Sequence, residues 1–246
     1  PWSQKIESCN RECVAHIERV IQFENPDSVA AILIEGESGS SGCIKYPPDY
    51  WKMLKAIAEK YGILTISDEV MSGFGRCGQW FAVENSGVTP DMMAMAKGLT
   101  AGYVPLGGVI VSEDIANHFE KNPMMIGLTY SGHAVGCAAA AATIEVYEEQ
   151  GLIAKARETG AYIDKKVAEL IEKHPSIGDW RNTGMLGCIE LVKNTGTQEP
   201  MAPWNATAAE PGAIAGVGAQ IKELGMFPCV RWNWIFVAPP LKLTDR

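Results

Sequence analysis

Residues with chemically useful side chains follow short apolar runs in this sequence, at points where strands of a sheet would end. Glu35, Asp68 and Lys97 each follow such a run, and a second acid, Glu69, stands directly after Asp68. In an open parallel sheet, ligands bind beyond the carboxyl ends of the strands. The sequence therefore predicts that three carboxylates and one lysine lie along a single sheet edge.

A lysine and a carboxylate at such an edge have the functional groups that a pyridine aldehyde cofactor requires. An amine that is desolvated or close to another cation can form a Schiff base with a carbonyl group. A carboxylate facing it can hold a protonated ring nitrogen and so keep the ring acting as an electron sink. Lys97 and Asp68 are the candidates for these roles. Residue type and spacing alone leave an alternative open, in which Lys97 is an ordinary strand-end charge and Asp68 a turn or cap residue.

The elements that must position these residues follow from hydrophobic periodicity. Apolar runs of the kind buried on both faces of a parallel sheet predict four strands, and apolar positions at helical spacing between the first two predict a helix. The predicted strands cover 29–34, 63–66, 92–96 and 106–111, and the helix covers 49–61. These segments predict a strand, helix, strand unit within an α/β fold.

A second region is predicted after Gly151. Residues 1–150 are expected to form an α/β domain and residues 151–246 a smaller α+β domain. Helices are expected at 135–149, 151–173 and 213–224, strands at 184–192 and 229–237, and a polar loop at 193–211.

Composition and charge exclude several classes of function. The formal net charge is −8, and no Lys/Arg-rich run marks a surface for nucleic acid or anionic membrane. No apolar stretch approaches the roughly 20 residues of a membrane span, and the first residues of the given sequence lack the charged and apolar regions of a signal peptide. Seven scattered cysteines without a CxxC pair, and four histidines without zinc-like spacing, predict neither a disulfide framework nor a metal site. A cytoplasmic protein that acts on small molecules is expected.

Four motifs, taken together, resemble one enzyme family. They occur in that family's order and at its spacings, and the resemblance extends over nearly the whole chain. The motifs are Glu35–Gly42, Ser67–Arg76, Pro90–Leu99 and Gly127–His133. They are similar to those of the class III (omega) aminotransferases of pyridoxal-phosphate (PLP) fold type I. The resemblance implies a mainly parallel sheet flanked by helices, part of a smaller α+β C-terminal domain, and PLP as cofactor.

The resemblance also implies a role for each matching residue. Lys97 corresponds to the lysine that forms the internal aldimine and then moves the proton between substrate and cofactor. Asp68 corresponds to the partner of the pyridine nitrogen, and Val70 to the residue packed on the ring face. Thr129 corresponds to the threonine that reaches the cofactor phosphate of the neighbouring subunit, which implies a homodimer with shared active sites.

Substrate recognition is predicted near the end of the chain. Many class III enzymes hold the substrate carboxylate with an arginine that precedes an APPL-like segment, and here Arg231 precedes 238–241. In amine and β-alanine transaminases that arginine falls at Cys229, two residues earlier. Strand side chains alternate between the two faces, so Arg231 can present its guanidinium on the same face, or it can be a surface ion-pair residue. Trp232 is a second candidate for the substrate approach.

The predicted substrate is an ω-amine or a β-amino acid. The glutamate that pairs with the arginine in ornithine and γ-aminobutyrate members falls near Ser40, so that switch is expected to be absent. Three segments, 181–184, 199–202 and 230–233, resemble the taurine:pyruvate and ω-amine branch. The expected reaction transfers an amino group from such a donor to pyruvate or a similar keto acid.

Other functions remain open at this stage. Aminomutases and decarboxylases share the fold and cofactor, because fold does not fix chemistry. A non-catalytic, truncated homologue is a second alternative, since family members are nearly twice as long and their N-terminal part carries a phosphate-binding loop. The chain is therefore expected to be a fragment that binds the cofactor weakly by itself. A dinucleotide-dependent oxidoreductase is disfavoured, because no GxGxxG motif follows a strand.

Overall fold

The structure, a computed structural model, describes residues 9–206 and 212–243. The chain forms two compact units. The first comprises the described residues up to Glu37, Tyr46–Phe74 and Gln79–Gln150, and the second comprises Ser38–Lys45, Gly75–Gly78 and the described residues from Gly151 onward. Their assignment as a PLP-binding domain and an incomplete C-terminal domain stays a prediction. Residues 207–211 of the predicted loop, and both chain ends, lie outside the described residues.

The described residues of the first unit form a sheet of four strands and four α-helices. The strands are β1 (Ala31–Glu35), β2 (Leu64–Asp68), β3 (Met92–Met95) and β4 (Gly108–Val111), in that spatial order. The helices are α1 (Glu12–Phe23), α2 (Tyr50–Tyr61), α3 (Glu113–Lys121) and α4 (Ala134–Glu149). β1 pairs with β2, and β2 with β3, in parallel. The predicted strand, helix, strand unit and the mainly parallel sheet are confirmed.

Helix α2 forms the crossover that parallel pairing of β1 and β2 requires. It ends at Gly62, where φ is +67° and the amide N–H donates back to the carbonyls of the last helical turn. Its buried face carries Trp51, Leu54 and Ala58, which pack against apolar residues of the sheet such as Ile32. Burial of each large apolar side chain contributes about 1.5–3 kcal/mol to the free energy of folding. This packing holds α2 against the sheet and so stabilises the paired strands whose ends carry the site residues.

The expectation for β4 was wrong in direction and in burial. Residues 106–111 were expected to form a strand of a parallel sheet buried on both faces. The observed strand begins at Gly108, runs antiparallel to β3, and leaves Val109 and Ile110 exposed. The short connection from Met95 to Gly108 has no crossover α-helix, so the chain returns along β3 in the opposite direction.

The second unit is built on an antiparallel sheet. Its strands are β5 (Ile177–Thr183), β6 (Leu186–Asn194), β7 (Glu199–Pro200), β8 (Cys229–Arg231) and β9 (Trp234–Val237). Their order is β5-β6-β9-β8, with β7 paired to β6. Among its described residues, the helices of this unit are α5 (Leu152–Lys173) and α6 (Gly212–Glu223).

Several expectations for the second unit were incomplete. The strand expected at 184–192 begins at Leu186, and β5 was missed because it is largely polar and is stabilised by pairing with β6. The strand expected at 229–237 is a hairpin, because Trp232 adopts a φ of +55° and turns the chain. Part of the loop expected at 193–211 forms β7. Pairing partners distant in sequence, rather than local periodicity, determine these elements.

In the described ranges, no helix combines the length and the apolar character needed to cross a membrane. The same residues contain no group of three or more histidine, cysteine, aspartate or glutamate side chains suited to a metal ion.

Asp91 ties together the amino-terminal ends of β2 and β3. Its carboxylate accepts hydrogen bonds from the amide and hydroxyl of Thr65, each at 2.7 Å, and from the amine of Lys55 at 2.8 Å. Burial by itself raises the pKa of Asp91, but the hydrogen bonds from Lys55 and Thr65 outweigh it and hold the pKa below the usual range. The ionised carboxylate therefore stabilises the folded sheet.

Replacing Asp91 is predicted to change the acid dependence of stability. Because the pKa of Asp91 is lower in the folded state, its stabilising effect is present above the unfolded value of about 3.9 and is lost as pH falls through the folded value. Urea unfolding of the wild type and Asp91→Asn should therefore differ most near neutral pH, and the difference should shrink on acidification. Asp27→Asn, at an exposed position, is the control. A difference that stays constant with pH would contradict the assignment.

Candidate active site

Asp68 and Lys97 project from neighbouring strand ends of the first unit. Asp68 is the last residue of β2, in register with Glu35 of β1 and Ala94 of β3. Lys97 follows Ala94 by three residues and begins a short 3-10 helix, Lys97–Leu99, just after β3. Parallel pairing brings both residues to the carboxyl edge of the sheet, where the sequence pattern placed them.

The carboxylate of Asp68 is held by its own turn and keeps one oxygen available. Its Oδ1 accepts a hydrogen bond of 2.9 Å from the amide of Val70, and both residues are half-buried. In the described part of the chain, Oδ2 receives no hydrogen bond. A fixed carboxylate with one unengaged oxygen suits a ligand N–H donor, which is the chemistry expected of Asp68.

Lys97 is held in an uncommon backbone conformation with its side chain exposed. Its φ is +40°, in the left-handed region, which costs a residue with a side chain about 1–2 kcal/mol. No described residue forms a hydrogen bond or ion pair with its amine. Strained backbone of this kind clusters at functional sites because the surrounding structure must maintain it. The amine is therefore accessible to a ligand.

Glu69 has a structural function that sequence reasoning missed when it was grouped with the other acids at the sheet edge. It is fully buried, and each carboxylate oxygen accepts one backbone N–H and one serine hydroxyl. Oε1 accepts from Val83 N at 2.9 Å and Ser67 Oγ at 3.1 Å, and Oε2 accepts from Ala82 N at 2.9 Å and Ser72 Oγ at 2.6 Å. These bonds tie the turn after Asp68 to a neighbouring loop. The serines that flank Glu69 in sequence are the signal that could have indicated this network.

Gly36, which follows β1, leaves room for this buried carboxylate. A Cβ at this position would lie 2.1 Å from Oε1 of Glu69, and the carboxylate cannot move without breaking its four hydrogen bonds. The amide of Gly36 also donates to the carbonyl of Asp68 at 3.0 Å. Glycine is therefore required for close packing where the ends of β1 and β2 meet.

Thr129 lies in an exposed loop of the first unit. The loop makes a turn in which the amide of Ser131 donates to the carbonyl of Leu128 at 3.0 Å. Several apolar side chains around Thr129 are more than half exposed, namely those of Met124, Met125, Ile126, Leu128 and Tyr130. The hydroxyl of Thr129 is thus on a surface with an apolar character.

Arg231 and Trp232 belong to the second unit and are adjacent to each other. The guanidinium carbon of Arg231 lies 4.2 Å from the centroid of the Trp232 ring. Trp232 in turn contacts the rings of Trp204 and Trp234, with centroids 4.2 and 5.0 Å away. This aromatic cluster, Trp204, Trp232 and Trp234, holds the Arg231 side chain by a cation–π contact.

Arg231 differs from the other described arginines of its unit in having no polar partner there. Arg76 donates to the carbonyls of Met185 and Pro239, and Arg181 forms ion pairs of 2.6 Å with Asp179 and Glu190. Arg157 donates to the carbonyl of Gly78. Arg231 makes no hydrogen bond or ion pair with described residues and is exposed, so its guanidinium is available to an anionic ligand.

Comparison with known proteins places the chain in a family. The family model described as aminotransferase class-III matches residues 2–246. The chain belongs to the class-III aminotransferases. The family that the four motifs predicted is thereby confirmed.

Individual relatives act on diverse amines. The chain is 37% identical over 231 residues to a diaminobutyrate–2-oxoglutarate transaminase of Halomonas elongata, covering 89% of this chain and 49% of that protein. It is 42% identical over 185 residues to a putrescine–pyruvate aminotransferase of Pseudomonas aeruginosa, covering 74% and 40%. A solved taurine:2-oxoglutarate aminotransferase of Bifidobacterium kashiwanohense, in complex with PLP and glutamate, superposes with a TM-score of 0.89 at 40% identity, covering 94% and 51%. The chain thus spans about half the length of these proteins or less.

Glu69→Gln is predicted to destabilise the site while preserving the shape of the side chain. In either orientation the amide NH2 of glutamine would face one backbone N–H, of Ala82 or Val83, which cannot accept a hydrogen bond. Leaving buried donors unsatisfied costs about 1–3 kcal/mol in the free energy of unfolding. Chemical denaturation should show this loss, whereas Glu59→Gln, an exposed change on α2, should alter stability little. Equal stability of the two variants would refute the network.

Proposed function

We propose that this chain contributes the catalytic lysine and the ring-nitrogen carboxylate of a PLP-dependent transaminase. The observation that carries the proposal is the arrangement at the sheet edge of the first unit. There, the unpaired amine of Lys97 and the half-engaged carboxylate of Asp68 follow adjacent parallel strands. These two groups fit an aldehyde and a protonated pyridine nitrogen, respectively. Membership in the class-III family supports the same cofactor.

Each residue then has a defined task. PLP, when bound, supplies an electron sink that makes a proton on the substrate carbon acidic. Asp68 would hold the charge on the ring nitrogen through Oδ2, because Oδ1 is occupied by the amide of Val70. The side chain of Val70 would line the cofactor ring. The amine of Lys97 would hold the cofactor and act as general base and acid, moving a proton between the substrate carbon and the cofactor.

Thr129 and the apolar surface around it support a homodimer in this proposal. The Thr129 hydroxyl would donate a hydrogen bond to the cofactor phosphate in the second copy, because phosphate oxygens are strong acceptors. The exposed apolar side chains that flank Thr129, Met125 and Tyr130 among them, are those that a second copy would cover. A cytoplasmic location of the enzyme is part of the same proposal.

The substrates proposed are an ω-amine or β-amino acid donor and pyruvate or a similar keto acid such as 2-oxoglutarate. The relatives named above include transaminases of putrescine, diaminobutyrate and taurine, and both keto acids appear among their acceptors. Arg231, exposed and stacked on Trp232, would receive the acid group of the donor or acceptor. A planar guanidinium binds carboxylate in a bidentate manner, and an aromatic neighbour restricts its orientation.

Asp68→Asn is predicted to reduce amino transfer strongly while the protein remains folded. The carboxamide cannot hold a charged ring nitrogen, but it keeps the acceptor for the amide of Val70. Loss of one preorganised electrostatic contact of this kind costs about a hundredfold or more in turnover. The initial rate of amine-dependent keto acid consumption measures the effect, with Asp114→Asn on α3 as the control. An Asp68→Asn enzyme with wild-type turnover would exclude the assigned role.

Product analysis with a panel of donors is predicted to separate transamination from other reactions. Taurine, β-alanine, putrescine and 2,4-diaminobutyrate, each with pyruvate or 2-oxoglutarate, should yield the acceptor's amino acid in equal amount to the donor's carbonyl product. Carbon dioxide or an isomerised amine would instead indicate a decarboxylase or an aminomutase. Ornithine used far better than these donors would contradict the proposed substrate class, and no reaction with any of them would favour a non-catalytic homologue.

A further inference from the structure

The strained backbone at Lys97 requires neighbours that maintain it. The side chain of Lys97 makes no hydrogen bond that would offset the strain of a φ of +40°, because its amine has no partner among the described residues. Among the described residues, the only donor to its carbonyl is the amide of Thr100, at a long distance of 3.3 Å. Contacts of the neighbouring residues in the 3-10 turn therefore contribute to the constraint on Lys97.

Gly98, the next residue, is held on two sides. Its carbonyl accepts a hydrogen bond of 3.0 Å from the hydroxyl of Tyr147, which lies 49 positions later in α4. On the other side, Gly98 packs so closely against Phe74 that a Cβ would lie 2.7 Å from the Phe74 Cβ. The Gly98–Leu99 peptide unit, which one further peptide unit separates from the Cα of Lys97, thus has little freedom to rotate.

Tyr147 is itself fixed by aromatic packing. Its side chain is buried, with the ring centroid 6.0 Å from that of Phe74 in a stacked arrangement and 5.8 Å from that of Trp80 in an edge arrangement. Such contacts restrict both rotation and translation of the ring. The hydroxyl therefore occupies a defined place and serves as a fixed donor to the Gly98 carbonyl.

We propose that Tyr147 is a positioning residue for Lys97, which aims the amine by anchoring the Gly98 carbonyl. This inference rests on the proposed function of Lys97. The hydroxyl of Tyr147 acts through one peptide unit, so it affects the direction of the lysine side chain rather than the presence of the cofactor. Small displacements of a reacting group lower the rate steeply while leaving substrate binding nearly intact.

Tyr147→Phe tests this role, because it removes the hydroxyl and keeps the ring against Phe74 and Trp80. In the PLP-loaded protein, we expect kcat for the donor amine to fall about tenfold with KM within about twofold of the wild type. The visible absorbance of cofactor bound to Lys97 should also titrate at a different pH. Tyr61→Phe is the matched control, since its hydroxyl bonds to Glu18 on the surface of the same unit at 3.0 Å. This control should behave as the wild type.

The outcomes distinguish this inference from the proposed function. If Tyr147→Phe has the kcat and the spectral titration of the wild type, or loses activity only in proportion to the folded fraction seen in thermal melts, the positioning role is wrong and the function of Lys97 stands. If the wild-type protein itself fails to couple PLP to Lys97, the proposed function falls and the inference falls with it.

Discussion

The parallel pairing of β2 with β3 is the constraint on which the proposed site depends. It sets Asp68 in register with Ala94, and so it brings the acid and the lysine three residues beyond Ala94 to one edge. Asp91 secures the start of the same two strands, and α2 covers the sheet with a buried apolar face. Without this register, the two side chains would not lie at the same edge of the sheet and could not contact one ligand.

At the strand ends, polar contacts convert the register into a defined geometry. The buried carboxylate of Glu69 fixes the turn after β2, the amide of Val70 orients Asp68, and Tyr147 anchors the turn that begins at Lys97. Each of these contacts is fully buried or half-buried, where an unmet donor or acceptor is costly. Unlike these groups, the amine of Lys97 has no partner among the described residues. An unpaired amine of this kind is expected where a ligand binds.

Local patterns were sufficient to predict the chemistry-bearing edge. Apolar runs followed at once by Asp68 or Lys97 predicted both the strands and the edge at which they end. The direction of β4 was not predictable from its own residues, because it depends on the short connection after Met95. The polar strand β5 and the turn at Trp232, which adopts a positive φ without being glycine, likewise depend on partners elsewhere in the sheet.

The supporting residues of the site were harder to foresee than the candidates themselves. Glu69 resembles Asp68 in sequence, and only the amides of Ala82 and Val83 reveal that it is a buried structural acid. Tyr147 lies in a helix far along the chain from Gly98, and the motif around Lys97 contains no sign of it. Arg231 was predicted from its position before an APPL-like segment, whereas its stacking on Trp232 depends on the hairpin turn.

Covalent labelling tests the central claim most directly. The protein would be incubated with PLP, reduced with borohydride and digested, and the modified lysine would be located by mass spectrometry. The label should lie on Lys97, and Lys97→Ala should abolish it, whereas Lys121→Ala, a change in α3, should leave the labelling unchanged. A label confined to another lysine, with Lys97 unmodified, would contradict the assignment of Lys97 as the residue that holds the cofactor.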